Sequence, residues 1–271
     1  LALLVLVAIA APWLGTVDPS LFDPASRDLR PGMSGEITTL DGDTLQHVFW
    51  MGSDSFGRDV YSRVIYGTRV SLVVGLSTAV IALAFGIVFG LLAGYLRWVD
   101  GPLMRVMDGV MSIPAILIAI ALVAMWGGTL ATVVFAIAIP EIPRVTRLVR
   151  SLVLTIREEP YVEAAVSLGT PTPLIMARHI LPNTIAPLIV QGTFICASGI
   201  LVEAILSFLG VGLPPDIPTW GNVMAEGRAQ FSEYPHNIFF PGLFLAATVL
   251  AVNILGDGLR DTLDPKMAKR G

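Results

Sequence analysis

The sequence predicts an all-α integral membrane protein with six transmembrane helices, and three observations support this. Hydrophobic residues make up 54% of the 271 and charged residues only 14%, against about 25% charged in an ordinary soluble protein. Uncharged runs long enough to cross a bilayer recur along the chain, one of them filling the 27 residues between Arg69 and Arg97. As a helix that run rises about 40 Å, more than a hydrocarbon core of about 30 Å. Arginine and lysine also fall unevenly on the segments between runs, as expected of a chain oriented by the positive-inside rule.

Each element follows in order. Residues 1–16, LALLVLVAIAAPWLGT, read as a first helix; the alternative is a signal-peptide core, which suits the charges less well. An extracytoplasmic loop of about 17–69 follows. The uncharged run after Arg69 is the second span. On it Gly86, Gly90 and Gly94, one step after Ala82, form a stripe of small residues at spacing four, which permits close helix approach. From Gly109 to Pro140 lie 32 uncharged residues interrupted by Trp126-Gly127-Gly128, read as the third and fourth spans joined by a tight turn, with far ends at Leu103 and Leu148. The fifth span covers about 185–206 and the sixth about 238–256. The chain reads as one domain, 1–271, with a five-helix core of about 70–258, an internal polar loop of about 149–183 and a tail of 259–271.

If residues 1–16 start inside, the inside segments hold eleven basic residues and the outside ones six, five of those in the long first loop. Both termini and the 149–183 loop are therefore expected in the cytoplasm.

Several function classes are excluded. A formal charge of −4 without a basic run argues against nucleic acid. Cys196 is the lone cysteine, so no disulfide forms within the chain. The two lysines, Lys266 and Lys269, follow no glycine-rich loop, which excludes a P-loop. His47, His179 and His236 are scattered, with no HExxH, and no Gly-x-Ser-x-Gly elbow occurs. The chain is read as non-catalytic, with no metal or cofactor of its own.

The segment 159–183, EPYVEAAVSLGTPTPLIMARHILPN, is polar and structured between membrane-grade runs. Pro160 after Glu158 and Glu159 suits a helix first turn, and Gly169 stops that helix. Tyr161, Ala164, Ala165 and Leu168 fall at i, i+3, i+4 and i+7, one apolar face made mostly of small residues. Physics alone leaves two readings, a protein contact and an amphipathic helix on the membrane surface.

Here the residues carry a resemblance. Glu163-Ala164-Ala165, Gly169 after three intervening residues, and Leu181-Pro182 resemble the EAA loop of ABC importer permeases, with His179 where the general pattern prefers isoleucine. His179-Ile180-Leu181-Pro182-Asn183 is similar to the peptide and nickel branch. Gly52-Ser53-Asp54 with Gly57-Arg58-Asp59-Val60 and Ser62-Arg63-Val64-Ile65-Tyr66-Gly67 resembles the GTDxxGRDxxSRxIYG signature, with serine replacing threonine and, relative to that family, a longer insertion at about 33–48 before it. Residues 203–210, EAILSFLG, resemble the end of the fifth helix, and Arg260-Asp261-Thr262-Leu263-Asp264-Pro265 the tail.

The resemblance implies a type I ABC importer permease fold, the C-type subunit of a dipeptide or oligopeptide importer. It implies as partners a second, B-type permease, two ATPase subunits that carry ATP and Mg, an extracytoplasmic solute-binding protein and the lipid bilayer, and as location a bacterial or archaeal cytoplasmic (inner) membrane. Tyr161, Glu163, Ala164, Ala165, Leu168, Gly169, His179, Leu181 and Pro182 become the expected ATPase-coupling residues, on a helix expected over 160–168. Nickel chelates, opines or oligosaccharides are alternative cargoes.

Of the charges near the membrane, Glu203 is open to two readings: it faces the translocation path, or it pairs with an outer arginine or locks the helix end. Gln191, Thr193 and Asn253 are further path candidates that periodicity does not fix. Asp108, Glu141 and Asp257 are expected paired or solvated, and Arg58, Asp59 and Arg63 in local ion pairs. A secondary transporter or channel would need discontinuous spans with midplane acids, and an intramembrane enzyme a nucleophile with its base; the sequence has neither.

Overall fold

The computed structural model describes residues 1–39 and 42–263. The expected tail therefore lies outside the described residues from Asp264 onward, Lys266 and Lys269 included. Contacts within the chain fall into two units, one of Leu1–Gly75, Leu122–Val133 and Ile200–Ala251, the other of Leu76–Ala121, Val134–Gly199 and the residues from Val252.

In the first unit, α1 (Ala2–Ala10) runs into a single 3-10 turn, Ala11–Trp13. Nine residues rise about 14 Å, short of the hydrocarbon thickness. Pro12 ends the α-helical pattern. The guanidinium of Arg69 takes the exposed carbonyls of Ala8 and Ile9, a basic cap on a helix C-terminus.

The loop that follows is not helical. Strands β1 (Met33–Thr38) and β2 (Thr44–Phe49) pair antiparallel, from Met33 opposite Phe49 to Thr38 opposite Thr44. The insertion at about 33–48 is thus a β-hairpin, a correction to the all-helical expectation. Ile37 and Phe49 supply its buried side, and His47 meets the Phe49 ring edge-on at 5.1 Å. Asp23 ties the hairpin down, accepting from the Ala25 N–H at 2.9 Å and the Thr38 hydroxyl at 2.9 Å. Those donors hold its carboxyl below the usual carboxylate range.

The remaining helices are α2 (Val60–Tyr95), α3 (Arg97–Met111), α4 (Ala115–Trp126), α5 (Leu130–Ile156), α6 (Pro160–Ser167), α7 (Thr172–Ile175), α8 (Leu181–Phe208), α9 (Trp220–Gly227) and α10 (His236–Leu263). By length and composition, α2, the continuous Thr172–Phe208 run and α10 are fit to cross a membrane. By this measure the described residues hold three such spans, or four with the bent pair α3 and α4, and the six read from the sequence are not confirmed. The expected fourth span, α5, is long enough at 27 residues, but Glu141, Arg144 and Arg147 crowd its middle.

The third span is not a continuous helix. It breaks at Ser112–Pro114, and α3 and α4 meet at 85°. Pro114 disfavours helical backbone at Ile113 and lacks the N–H that would continue the ladder.

The glycine stripe explains the core of the second unit. A Cβ on Gly86, Gly90 or Gly94 would collide with Val145, Val149 or Val153 respectively, one α2 glycine for each α5 valine at spacing four. Val145, Val149 and Val153 are fully buried in a cluster with Ala79, Ala82, Val162, Ile175, Ile180, Leu188 and Ile195. Without side chains on one helix, backbones approach to van der Waals distance.

Candidate functional site

The segment 159–183 belongs to the second unit. Pro160 opens α6, where its missing N–H costs nothing, and Glu163 stands in the first turn. The helix ends in a Schellman motif: the Thr170 N–H reaches the Ala165 carbonyl at 3.1 Å and the Gly169 N–H reaches Val166 at 2.9 Å. Gly169 takes φ +74°, the left-handed conformation this closure requires. Leu168 caps the helix instead of extending it, so α6 is one residue shorter than expected.

α6 has two different sides. Val162 and Ala165 are buried, Val162 within the valine cluster. Ala165 therefore turns inward, a correction to the face read from the sequence. Tyr161, Glu163, Ala164 and Gly169 are exposed, and Leu168 is 85% exposed. Glu163 has no ion-pair partner among the described residues.

The far end of the segment folds back on its start. Thr172–Ile175 passes through a π-helical turn, Met176–Ile180, into α8. His179 lies in that turn with its ring 6.4 Å from that of Tyr161. The Asn183 amide donates to the His179 carbonyl at 2.7 Å and to the Tyr161 hydroxyl at 3.2 Å. Leu181 is half-buried and Pro182 exposed in the first turn of α8. The Arg157 guanidinium, beside Glu158 at 3.8 Å, donates to the Gly94 carbonyl at 3.2 Å, tying the entry of α6 to α2.

The acids of this unit expected to be paired or solvated, Asp108, Glu141 and Asp257, are so, and Asp100 is paired as well. Asp100 accepts two bonds from Arg150 at 2.5 and 2.6 Å. Asp108 pairs with Arg147 at 2.5 Å and Glu141 with Arg144 at 2.9 Å, while Asp257 is exposed. Gln191, Thr193 and Asn253 are half-buried; a Cβ on Gly256 would collide with Thr193.

In the first unit, the GSDxxGRD stretch is a built turn. Asp54 accepts from the N–H groups of Phe56 and Arg58 at 2.9 Å each and from the Arg58 side chain at 2.7 Å. Gly57 at φ +83° passes so close to the Asp23 carbonyl that no Cβ fits. Asp59 does not pair with Arg58 or Arg63. It caps α2 through the Ser62 N–H and hydroxyl, with His47 at 3.5 Å.

Arg58 and Arg63 turn instead to Glu226 on α9. Arg58 donates to one carboxylate oxygen, and the fully buried Arg63 lies 3.3 Å from the other while donating to the Pro215 carbonyl at 3.1 Å. Burial pushes the Glu226 carboxyl up, against the pull of Arg63 and Arg58. Sequence reading missed Glu226, which stands more than 160 positions from its partners.

Glu203 is also fully buried, and its partner is the Ser207 hydroxyl at 2.8 Å rather than an arginine. The Ser207 oxygen in turn accepts from the Leu213 N–H at 3.3 Å. Gly221 seats α9 against this end of α8, since a Cβ there would meet the Ala204 carbonyl. Trp220, wholly buried, donates to the Val64 carbonyl at 3.1 Å.

Residues 86–269 match the model of a family described as the binding-protein-dependent transport system inner membrane component. The chain belongs to this family. It is 52% identical over 265 residues to a probable peptide ABC transporter permease of Sinorhizobium fredii, covering 98% of this chain and 86% of that protein. It is 41% identical over 264 residues to the dipeptide transport system permease of Alkalihalophilus pseudofirmus, covering 97% and 82%. Among solved structures, an amino acid ABC transporter matches with a TM-score of 0.56 at 16% identity, over 74% of this chain and 94% of that one. The fold is that of type I ABC importer permeases, and the chain is a permease subunit of a binding-protein-dependent ABC transporter in the inner membrane. Membership implies an ATPase and a solute-binding protein as partners.

Glu226 gives this permease a testable anchor. Glu226→Gln keeps the shape and one acceptor but leaves two guanidiniums, one fully buried, without their shared charge. A loss of about 2 kcal/mol is expected, read as a lower unfolding temperature in detergent, with the exposed Glu233→Gln unchanged as control.

Proposed function

We propose that this chain forms half of the translocation path of an ATP-driven importer of di- or oligopeptides and couples it to an ATPase through α6. One observation carries the reading. α6 shows Tyr161, Ala164 and Leu168 outward, while on its other side Ala165 is buried and Val162 is fixed in the core that joins α2 and α5. A partner that grips the outward side moves that core with it.

The complex is completed by a B-type permease, two ATPase subunits with ATP and Mg, and a solute-binding protein, with both termini of this chain in the cytoplasm. Glu163 supplies a charge for a basic group of the ATPase, and the small Ala164 allows close approach. His179, Leu181 and Pro182 brace the helix through Tyr161 and the first turn of α8. Closure of the ATPase pair on ATP would turn the bundle from inward-open to outward-open, because nucleotide binds the two arrangements with different affinity.

A cysteine at Ala164, in a background lacking Cys196, tests the seat. Crosslinking to the ATPase that changes with ATP is expected; its absence in an assembled complex overturns the coupling role. The names of the relatives support peptide cargo. Uptake of dipeptides by the reconstituted importer, measured against nickel chelates, opines and oligosaccharides, decides it.

Glu203 is assigned the helix-locking role over the path-facing one, because it is enclosed by its own chain and bonded to Ser207. Glu203→Gln, which keeps that bond, is expected to change uptake less than about threefold, a cost under about 1 kcal/mol. Altered cargo preference with normal assembly would move Glu203 into the path. Gln191 and Asn253 stay path candidates, to be tested by crosslinking to a bound peptide.

A further inference from the structure

The helix α3 has three sides, and two of them engage its own chain. At 100° per residue, Asp100 and the buried Met107 share the inward side, and Asp100 is clamped by Arg150 of α5. Asp108, on a second, polar side with Arg97 and Gly101, reaches Arg147 of the same helix. The third side is apolar. Trp98 is 78% exposed and Val106 59% exposed, and together with Val99, Pro102 and Leu103 they line a shallow apolar groove.

Arg97 and Arg105 lie along the one edge of this side that borders the polar side, are exposed, and have no acidic ion-pair partner among the described residues. Their aspartate neighbours are already taken by α5. The helix also meets the uncharged α4 at 85°. If α4 runs into the hydrocarbon along the bundle, α3 lies across it, near the membrane plane. A tryptophan beside an apolar stripe with arginines at its edge is the composition of a helix lying in the boundary between headgroups and acyl chains.

We propose that α3 is an in-plane membrane helix, its Trp98 to Val106 side seated at the acyl boundary and Arg97 and Arg105 on anionic phospholipid headgroups. The charge complementarity selects lipid over a protein partner: the charges without an ion-pair partner among the described residues are both positive, and they border an apolar strip whose one side-chain hydrogen-bonding group is the Trp98 indole N–H, a donor suited to the headgroup level. The ion pairs to α5 fasten the opposite side, so α3 joins the bilayer surface to the helix that runs directly into α6.

The test uses the assembled importer in nanodiscs of phosphatidylglycerol and phosphatidylethanolamine. Nitroxide labels are placed at Trp98→Cys, Val106→Cys and Gly101→Cys in a Cys196→Ala background. Relaxation by oxygen is expected to exceed relaxation by a water-soluble nickel chelate at 98 and 106, with the order reversed at 101. Nickel dominance at 98 and 106 would mean water, and protection from both reagents a protein cover; either overturns the proposal. Because a cysteine variant can fail to assemble, the unlabelled importer serves as a second readout. Lipids brominated near the headgroup should quench a component of tryptophan emission that Trp98→Phe removes, and an unchanged quenched fraction in that variant overturns the lipid seat. Arg97→Gln with Arg105→Gln should remove the dependence of this quenching on phosphatidylglycerol content; the same dependence in the double variant overturns the headgroup contact.

Discussion

Replacing Gly169 with valine is expected to abolish ATP-driven uptake while the chain still inserts and accumulates. Gly169 sits at φ +74° with open space around it, so a side chain meets no neighbour and the whole penalty is in the backbone. For a β-branched residue the left-handed conformation costs about 1–3 kcal/mol. That is small against the stability of a helical core but large against the closure it would break, two hydrogen bonds at the end of an eight-residue helix. The outcome should be local: α6 loses its last turn, and Leu168 leaves the side it shares with Tyr161 and Ala164. A lever loosened at one end transmits little of the ATPase motion, so basal ATP hydrolysis should persist while its stimulation by the loaded binding protein disappears. Gly169→Asn, which tolerates positive φ, should recover most of the uptake. Normal uptake by the valine variant would sink the coupling reading, and failure of both variants to accumulate would show that the motif serves folding instead.

Local chemistry explains why parts of this molecule were legible in advance. The start of α6 at Pro160 and its end at Gly169 are written in residues whose backbone preferences act within one turn, and so is the turn at Gly127 between α4 and α5. The stripe of Gly86, Gly90 and Gly94 announced a close helix approach, but only the structure names Val145, Val149 and Val153 as its other half. The misjudged features depend on what lies across space. Ala165 and Ala164 look equivalent by periodicity, yet packing buries one and leaves the other exposed. Residues 33–48 carry weak alternation, and their pairing as a hairpin depends on Asp23 and the packing of Phe49. Pro114 is a visible break, and uncharged sequence on its C-terminal side made the third span look continuous. Glu226 had no signal, since nothing near it in sequence says that Arg58 and Arg63 will arrive.

Gly90→Leu is expected to remove the permease from the membrane altogether, and it separates a folding defect from a coupling defect. A Cβ at Gly90 would stand 2.9 Å from the Thr146 carbonyl oxygen and collide with Val149 as well. The backbone oxygen cannot rotate away, so α2 and α5 must separate. Separation is not confined to one position, because Gly86 and Gly94 pack on Val145 and Val153 by the same approach, and the cluster that includes Val162 of α6 rests on this seam. Overpacking by one methylene typically costs about 1–3 kcal/mol. A leucine that opens three glycine–valine contacts at once should exceed about 4 kcal/mol, the range reserved for mutations that break a defined structural feature. Gly90→Ala should lose less but still lower the unfolding temperature, since the first added carbon is the one that collides. Gly101→Ala is the internal control: nothing lies within 4 Å of its Cβ position, and within α3 the change should be neutral or gain up to about 1 kcal/mol of helix propensity. Membrane abundance and detergent melting of the three variants give the ranking. Equal behaviour of Gly90→Ala and Gly101→Ala would mean that the α2 and α5 backbones do not touch, and with that the account of how α6 is joined to the transmembrane bundle would fail.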